Sequence, residues 1–159
     1  MSLPRGMSFW HPVCLISTWF GAGMLPGAPG TWGSLAALPV AWFTLQYFGV
    51  YGLAAAGIGL FALGCWTSTI YARRTRERDP SSIVVDEVAA QLLVLTTAPL
   101  DPAWFIGGFL LFRVADVLKP WPASWADHSL HGGLGVMLDD LFAAVYAWAA
   151  LHGLVLLLR

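Results

Sequence analysis

The sequence predicts an all-α membrane protein, a polytopic helical bundle of about five main helices preceded by a re-entrant or amphipathic N-terminal segment. Hydrophobic residues make up 58% of the chain and charged residues only 11%, whereas soluble domains average about 45–50% apolar and about 25% charged residues. The apolar runs are rich in Leu and Ala and lack the period-two alternation of strands. Because domains average about 150 residues, we expect residues 1–159 to form a single domain.

Glycine and proline divide the chain into four apolar blocks, which we predict to be helical: Leu35–Ala72, Ile83–Ala98, Trp104–Leu118 and Val136–Leu158. A membrane span needs about 20 residues. The first block is long enough for two helices, and we expect it to divide near Phe48–Gly52. The glycine-rich stretch before the first block belongs to the predicted N-terminal segment.

Basic residues cluster in the segments that we expect on the cytoplasmic side, because positively charged loops remain there. Arg73, Arg74, Arg76 and Arg78 follow the first block, and Lys119 follows the third. The segment near Gly49 and residues 96–103 contain no Lys or Arg. The net charge of −1 lacks the excess of Lys and Arg that nucleic-acid binders normally carry, so we do not expect a nucleic-acid partner.

Acidic residues gather at the helix ends that adjoin these basic loops: six of the nine are Asp79, Asp86, Glu87, Asp116, Asp139 and Asp140. A charged side chain at mid-bilayer costs about 2.5–3.5 kcal/mol, so acids this close to lipid need partners or a metal. An all-oxygen ligand set suits Mg²⁺. We therefore predict metal ligands or a catalytic base among Asp86, Glu87, Asp116, Asp139 and Asp140, although acids at a helix start also interact with the helix dipole alone.

Two elements are candidates for binding phosphate. The stretch Gly21–Ser34 leads into a helix, and glycines expose backbone N–H groups at a helix N-terminus that favours anions. Its candidate residues are Gly23, Gly30, Thr31, Gly33 and Ser34. A structural turn with Ser34 as the helix N-cap is the alternative.

The second element is a helix end that Pro120 terminates. The spacing of Arg113, Asp116 and Lys119 places them on one helix face. Arg113 can bind phosphate bidentately and Lys119 supplies a point charge. An intrahelical ion-pair ladder with a Lys that reaches the interface is the alternative.

Four segments together resemble the phosphatidylglycerophosphatase A family: Gly21–Ser34, Val84–Glu87, Phe112–Pro120 and Gly132–Asp140. They match the family's Gly-x-Gly-x-x-Pro-x-Ala-Pro-Gly-Thr-x-Gly-Ser, Val-x-Asp-Glu, Phe-Arg-x-x-Asp-x-x-Lys-Pro and Gly-Gly-x-Gly-x-Met-x-Asp-Asp motifs in the same order. The resemblance implies a multi-pass protein of the bacterial inner membrane. It also implies Mg²⁺ dependence and action on phosphatidylglycerophosphate at the cytoplasmic side.

The expected reaction is therefore hydrolysis of phosphatidylglycerophosphate to phosphatidylglycerol and inorganic phosphate. The chain contains no Cys-x5-Arg or Asp-x-Asp-x-Thr/Val motif, so we expect water activated by bound Mg²⁺ rather than a protein nucleophile. Alternatives are a phosphatase for another lipid phosphate such as phosphatidic acid, an ion- or proton-coupled transporter, and a non-catalytic lipid-binding subunit. The sequence sets no oligomeric state.

Overall fold

The computed structural model describes residues 3–4, 6–77, 80–130 and 132–158, together with the backbone but not the side chain of Asp127. All regular elements of this part of the chain are helical, which confirms the all-α prediction. Its α-helices are α1 (Pro12–Ser17), α2 (Pro29–Thr75), α3 (Val85–Val94), α4 (Pro102–Leu118), α5 (Ala123–Ser129) and α6 (Gly133–Leu157). Two 3-10 turns, Ala22–Met24 and Leu95–Thr97, precede α2 and follow α3.

Helix α2 consists of two helical segments joined at Gly49, within the predicted division near Phe48–Gly52. Gly49 has φ 67° and ψ −171°, a left-handed φ that glycine adopts without the steric cost of a Cβ. Near the start of α2, Gly33 lies so close to Val84 that an added Cβ would be 2.8 Å from the Val84 Cβ. Near its end, the Tyr71 hydroxyl hydrogen-bonds the Ser82 hydroxyl at 2.9 Å. Both ends of α2 therefore contact the same short segment, so its two halves run back along each other.

The start of α2 differs from the prediction. The helix begins at Pro29, six residues before Leu35. Proline suits the first helical position because its φ is already near the helical value, and because the N–H that it lacks would have no partner there. Ser34 consequently lies inside the helix, and its hydroxyl donates to the Gly30 carbonyl at 2.9 Å. The alternative of Ser34 as an N-cap is wrong.

Helix α3 is buried among its neighbours and is shorter than the predicted Ile83–Ala98 helix. Its ten residues span about 15 Å, half of the roughly 30 Å hydrocarbon core of a bilayer. The backbone before it is fixed by the Val84 N–H, which donates to the Ser17 carbonyl at 2.9 Å. Val85, Val88 and Ala89 are fully buried. This helix is packed within the bundle and is too short to cross a membrane.

Helices α4 and α6 complete the packing around α3. Asp101 caps α4, with its carboxylate accepting from the Ala103 N–H at 2.8 Å. Helix α6 contacts α2 closely, since a Cβ on Gly64 would lie 2.7 Å from the Met137 methyl carbon. Within the described residues, α2 and α6 are long and apolar enough to cross a membrane. The described part of the chain is thus helical with two candidate membrane-spanning helices, and the predicted N-terminal segment contains α1 and a 3-10 turn.

We expect Gly133→Ala to destabilise the fold, because the added Cβ would overlap the Cys65 carbonyl oxygen of α2. Overpacking of this kind costs about 1–3 kcal/mol. Gly153→Ala in the same helix is the matched control, since no atom lies within 4 Å of its Cβ position and alanine is favoured over glycine in helices by about 1 kcal/mol. Thermal unfolding in detergent should give a lower Tm for the first variant only; equal Tm values would contradict the close packing of α2 and α6.

Candidate functional site

A cavity of about 240 Å³ lies where α2, α3, α4 and α6 meet. The N-terminal turns of α2 and α3 and the C-terminal end of α4 reach it, as does α6 near its first two turns. Its lining residues are Ala28, Pro29, Gly30, Ser81, Ile83, Asp86, Glu87, Arg113, Asp116, Lys119, Asp139 and Asp140. All five acids and both basic residues that the sequence predicted for the site therefore line one cavity.

Three carboxylates in this cavity form a tight cluster. Asp86 and Glu87 belong to the first turn of α3 and Asp140 to α6. One carboxylate oxygen of each lies within 4.8 Å of the other two. Burial, followed by the charge of Glu87, raises the pKa of Asp86 well above its usual value, and burial also raises the pKa of Glu87. The cluster is costly to keep ionised without a positive partner.

The oxygens of this cluster have few protein partners. Asp86 accepts a hydrogen bond from the Glu87 N–H at 3.0 Å. Glu87 Oε2 and Asp140 Oδ2 are buried with no hydrogen-bond partner among the described residues. A buried carboxylate oxygen left unpaired is destabilising. The donor set is all oxygen and fits a hard divalent cation, which would satisfy these atoms and offset the repulsion.

The two basic residues are held by the remaining acids. Arg113 Nη1 lies 2.8 Å from Asp116 Oδ2 and 4.0 Å from Glu87 Oε1. Lys119 Nζ lies 2.7 Å from Asp139 Oδ2, so this pair joins the end of α4 to α6. Asp116 and Asp139 line the cavity but are paired with Arg113 and Lys119. Neither belongs to the three-carboxylate cluster.

Lys119 does not continue the face of α4 as its spacing predicted. The helix ends at Leu118, and Lys119 follows as its C-cap with φ 42°. This left-handed conformation ends the helix before Pro120, which cannot continue it. The ion pair of Lys119 is consequently with α6 rather than along α4, and the simple intrahelical ladder is wrong beyond Arg113 and Asp116.

The glycine-rich stretch contributes less of the cavity wall than predicted. Among its five candidate residues, only Gly30 lines the cavity. Gly23 and Gly33 instead allow close approach to the backbone at Ser82 and Val84. The expected loop is replaced by a 3-10 turn and the first turns of α2, because Pro29 starts the helix early.

Ser34 and Gly30 act at the cavity through Arg113 and Glu87. Arg113 Nη1 donates to Ser34 Oγ at 3.4 Å. A Cβ on Gly30 would overlap Glu87 Oε1 and lie 3.1 Å from Arg113 Nη1. Glycine at position 30 therefore leaves space for the carboxylate beside the guanidinium. The sequence contained no signal for this contact, nor for the lining by Ser81 and Ile83.

Some predicted features lie outside the described residues. Asp79, the sixth clustered acid, and Arg78 in the basic loop are among them. Ser81 and Ser82 precede α3, but the N-cap of this helix is Val84, which makes no side-chain hydrogen bond. Ser82 instead bonds Tyr71 and ties the segment to α2.

Comparison with known proteins identifies one family over most of the chain. The sequence model of phosphatidylglycerophosphatase A matches residues 15–155. The chain is 37% identical over 144 residues to phosphatidylglycerophosphatase A of Haemophilus influenzae, covering 90% of this chain and 88% of the relative. It is 36% identical over 146 residues to phosphatidylglycerophosphatase A of Escherichia coli, covering 90% and 81%.

A third relative has a different name. A Bacteroides thetaiotaomicron protein, provisionally named a phosphatidylinositol-3-phosphatase, is 37% identical over 142 residues, covering 84% of this chain and 87% of the relative. No solved structure is similar enough to count as a match.

The carboxylate cluster predicts that a divalent cation stabilises the folded protein. Adding Mg²⁺ or Mn²⁺ should raise the Tm, because a ligand at 100 times its Kd stabilises by about 2.7 kcal/mol. Asp140→Asn should reduce this shift by removing a charge from the cluster. Asp101→Asn is the control, because Asp101 lies at the opposite end of α4 and asparagine also caps helices. An identical shift in Asp140→Asn and the wild type would place the cation elsewhere.

Proposed function

This chain belongs to the phosphatidylglycerophosphatase A family, and from that membership we propose that it hydrolyses phosphatidylglycerophosphate with Mg²⁺ held by its carboxylate cluster. The products are phosphatidylglycerol and inorganic phosphate. The single observation that best supports this proposal is the convergence of three carboxylates and two basic residues on one cavity.

The charge of the cavity supports a metal-dependent reaction. Its five acids and two basic residues have a formal charge of −3 when all are ionised, since five negative charges exceed two positive ones by three. A phosphate group would be repelled from such a cavity. Mg²⁺ binds through carboxylates together with substrate phosphates, so one site can hold both the cation and the phosphate.

We assign roles to the residues of the cavity by their chemistry. Asp86, Glu87 and Asp140 hold the cation, which when bound would polarise the phosphoryl oxygens and lower the pKa of a nearby water. Arg113 and Lys119 bind the phosphoryl oxygens and stabilise the charge that develops on them. A carboxylate of the cavity accepts the proton of the attacking water, whose oxygen bonds to phosphorus as the bond to the glycerol oxygen breaks. The same carboxylate then returns this proton to the glycerol oxygen as it leaves.

The helix N-termini at the cavity also favour phosphate. The first turns of α2 and α3 both reach it, and helix N-termini have a partial positive charge that attracts anions. Of the glycine-rich candidates, Gly30 lines the cavity and can make this contribution through the backbone of α2, whereas the Thr31 N–H already donates to the Ala28 carbonyl at 3.0 Å. Gly23 contributes through the packing that positions Ser82.

We further propose a multi-pass arrangement in the bacterial inner membrane with the cavity facing the cytoplasm. Arg73, Arg74 and Arg76 lie at the end of α2 that contacts Ser82, which is the end of the bundle that contains the cavity. The segment near Gly49 and residues 96–103, at the opposite end, contain no Lys or Arg, and Arg159, the one basic residue that departs from this pattern in the sequence, lies outside the described residues. The positive-inside rule supports this orientation.

Another lipid phosphate is the second candidate substrate. The Bacteroides thetaiotaomicron relative, named for phosphatidylinositol 3-phosphate, is as similar in identity as the phosphatidylglycerophosphatases. A transporter is disfavoured because the five clustered acids share one cavity at one end of the bundle, whereas an ion path needs polar groups through the membrane depth.

The test is phosphate release by the purified protein from phosphatidylglycerophosphate, phosphatidic acid and phosphatidylinositol 3-phosphate, in Mg²⁺ and then in EDTA. We expect Mg²⁺-dependent release that prefers phosphatidylglycerophosphate. Asp86→Asn should lower kcat by about 10²-fold or more, the scale of losing one transition-state interaction, while Asp101→Asn retains activity. No release from any of these lipids by folded protein would contradict the proposal.

Gly30→Ala should separate activity from folding. The new Cβ displaces the flexible end of Glu87 beside Arg113, and a displacement of about 1 Å can cost 10²-fold in rate. We expect an unchanged Tm with a kcat reduced by at least about tenfold. Gly107→Ala is the control, because its Cβ position in α4 has open space. Full activity in Gly30→Ala would show that Glu87 tolerates displacement and has no direct role.

A further inference from the structure

An apolar groove of about 320 Å³ lies between the first half of α2 and α4, away from the carboxylates. Its walls are the side chains of Leu38, Pro39, Trp42, Pro102, Phe105 and Ile106. We propose that this groove binds an acyl chain of the lipid substrate and thereby positions its phosphate; this inference rests on the proposed function.

The groove lies along the same two helices as the cavity, further along each helix from the carboxylates. Arg113 contacts Ser34 at 3.4 Å, and the Trp42 and Phe105 rings pack edge to face with centroids 5.1 Å apart. From the first contact to the second, the chain advances eight residues along α2, from Ser34 to Trp42. Along α4 it goes back eight residues, from Arg113 to Phe105. Helices α2 and α4 are therefore antiparallel neighbours, and eight residues correspond to about 12 Å. A molecule held at Arg113 can extend along this seam into the groove.

The distance between the cavity and the groove fits the headgroup of the proposed substrate. Gly30 lines the cavity and Leu38 begins the groove eight residues later, about 12 Å along α2. About ten bonds separate the terminal phosphorus of phosphatidylglycerophosphate from the nearer acyl ester oxygen. Three bonds of an extended chain span about 3.3–3.6 Å, so ten span about 12 Å. The acyl chain would begin at the mouth of the groove.

The shape of the groove follows from its prolines and aromatic residues. Pro39 lies within α2, where it removes a helical hydrogen bond and favours a bend. Trp42 and Phe105 contact each other edge to face in the lining of the groove. Ile106 is 55% exposed, so the groove is open towards the surroundings of the bundle and an acyl chain can enter it sideways.

The groove contributes positioning rather than hydrophobic driving force. Lipid tails in a bilayer are already in an apolar environment, so the transfer of one tail into the groove gains only packing contacts. If the groove holds the tail, the position of the headgroup phosphate is fixed. Orienting a reacting group in this way lowers the barrier of its reaction. We therefore expect obstruction of the groove to affect acylated substrates.

The test compares Ile106→Trp with Ile58→Trp. Both replace an exposed isoleucine, with 55% and 61% exposure, but Ile58 lies in the second half of α2 away from the groove. The kcat/KM values are measured in detergent for long-chain phosphatidylglycerophosphate and for its water-soluble deacylated form. The ratio of lipid to deacylated kcat/KM should fall about tenfold in Ile106→Trp, as expected for a misplaced phosphate, and stay unchanged in Ile58→Trp.

Each outcome has a distinct meaning. An unchanged ratio in Ile106→Trp at an unchanged Tm overturns the acyl-chain proposal and leaves the proposed function intact. A wild-type protein inactive on both compounds overturns the proposed function itself. A change of oligomeric state in Ile106→Trp, seen by size-exclusion chromatography, would mean that the groove binds a second copy, which also overturns the acyl-chain proposal.

A photoreactive acyl chain provides a measurement that does not depend on catalysis or on the stability of a variant. Phosphatidylglycerophosphate with a diazirine near the ester end of its chain is crosslinked to wild-type protein, and the labelled peptides are identified by mass spectrometry. Labels on residues 38–42 and 102–106 that unlabelled lipid competes away support the groove. Labels spread evenly over the exposed apolar surface overturn it.

Discussion

Mutual repulsion among buried carboxylates is the constraint on which the rest of this structure depends. Asp86, Glu87 and Asp140 hold oxygens within 4.8 Å of one another, and Asp116 and Asp139 add charge at the same cavity. Arg113 and Lys119 each neutralise one acid through contacts of 2.8 and 2.7 Å. Glu87 Oε2 and Asp140 Oδ2 stay buried with no hydrogen-bond partner among the described residues, so the site suits a bound cation.

The charged groups of the cavity are brought together both by their positions within one helix and by contacts between helices. Along α3, adjacent positions place Asp86 and Glu87 side by side. Between helices, the Lys119–Asp139 pair joins α4 to α6, and the hydrogen bond between Tyr71 and Ser82 ties the end of α2 to the start of α3. Loss of one of these contacts between helices would therefore separate acids that lie far apart in the sequence. Asp86 and Glu87 would stay together, because they are adjacent in α3.

Much of the fold and of the membership of the site could be predicted from the sequence. Composition and apolar runs predicted helices, the Gly49 division was found where glycines interrupt the first block, and the resemblance to the family was confirmed by the comparisons. The start of α2 was missed because Pro29 lies in a glycine-rich stretch of the kind that is typical of loops, although proline also suits the first position of a helix. The role of Gly30 was not predictable, since it depends on Glu87 and Arg113, which lie 57 and 83 positions along the chain from it.

In the proposed multi-pass arrangement, the division of α2 at Gly49 also bears on how the protein would enter the membrane. Residues 29–72 contain no Asp, Glu, Lys or Arg, so the two halves of α2 can insert as an uncharged helical hairpin with both ends on one side. The acids of the cavity follow this hairpin in the sequence and are synthesised later. Helix α3 is about 15 Å long and is too short to insert by itself. We therefore expect helix α3 to enter the bilayer region only by docking on this hairpin after the hairpin has inserted. The carboxylates of α3 would then reach their positions after the helices of α2.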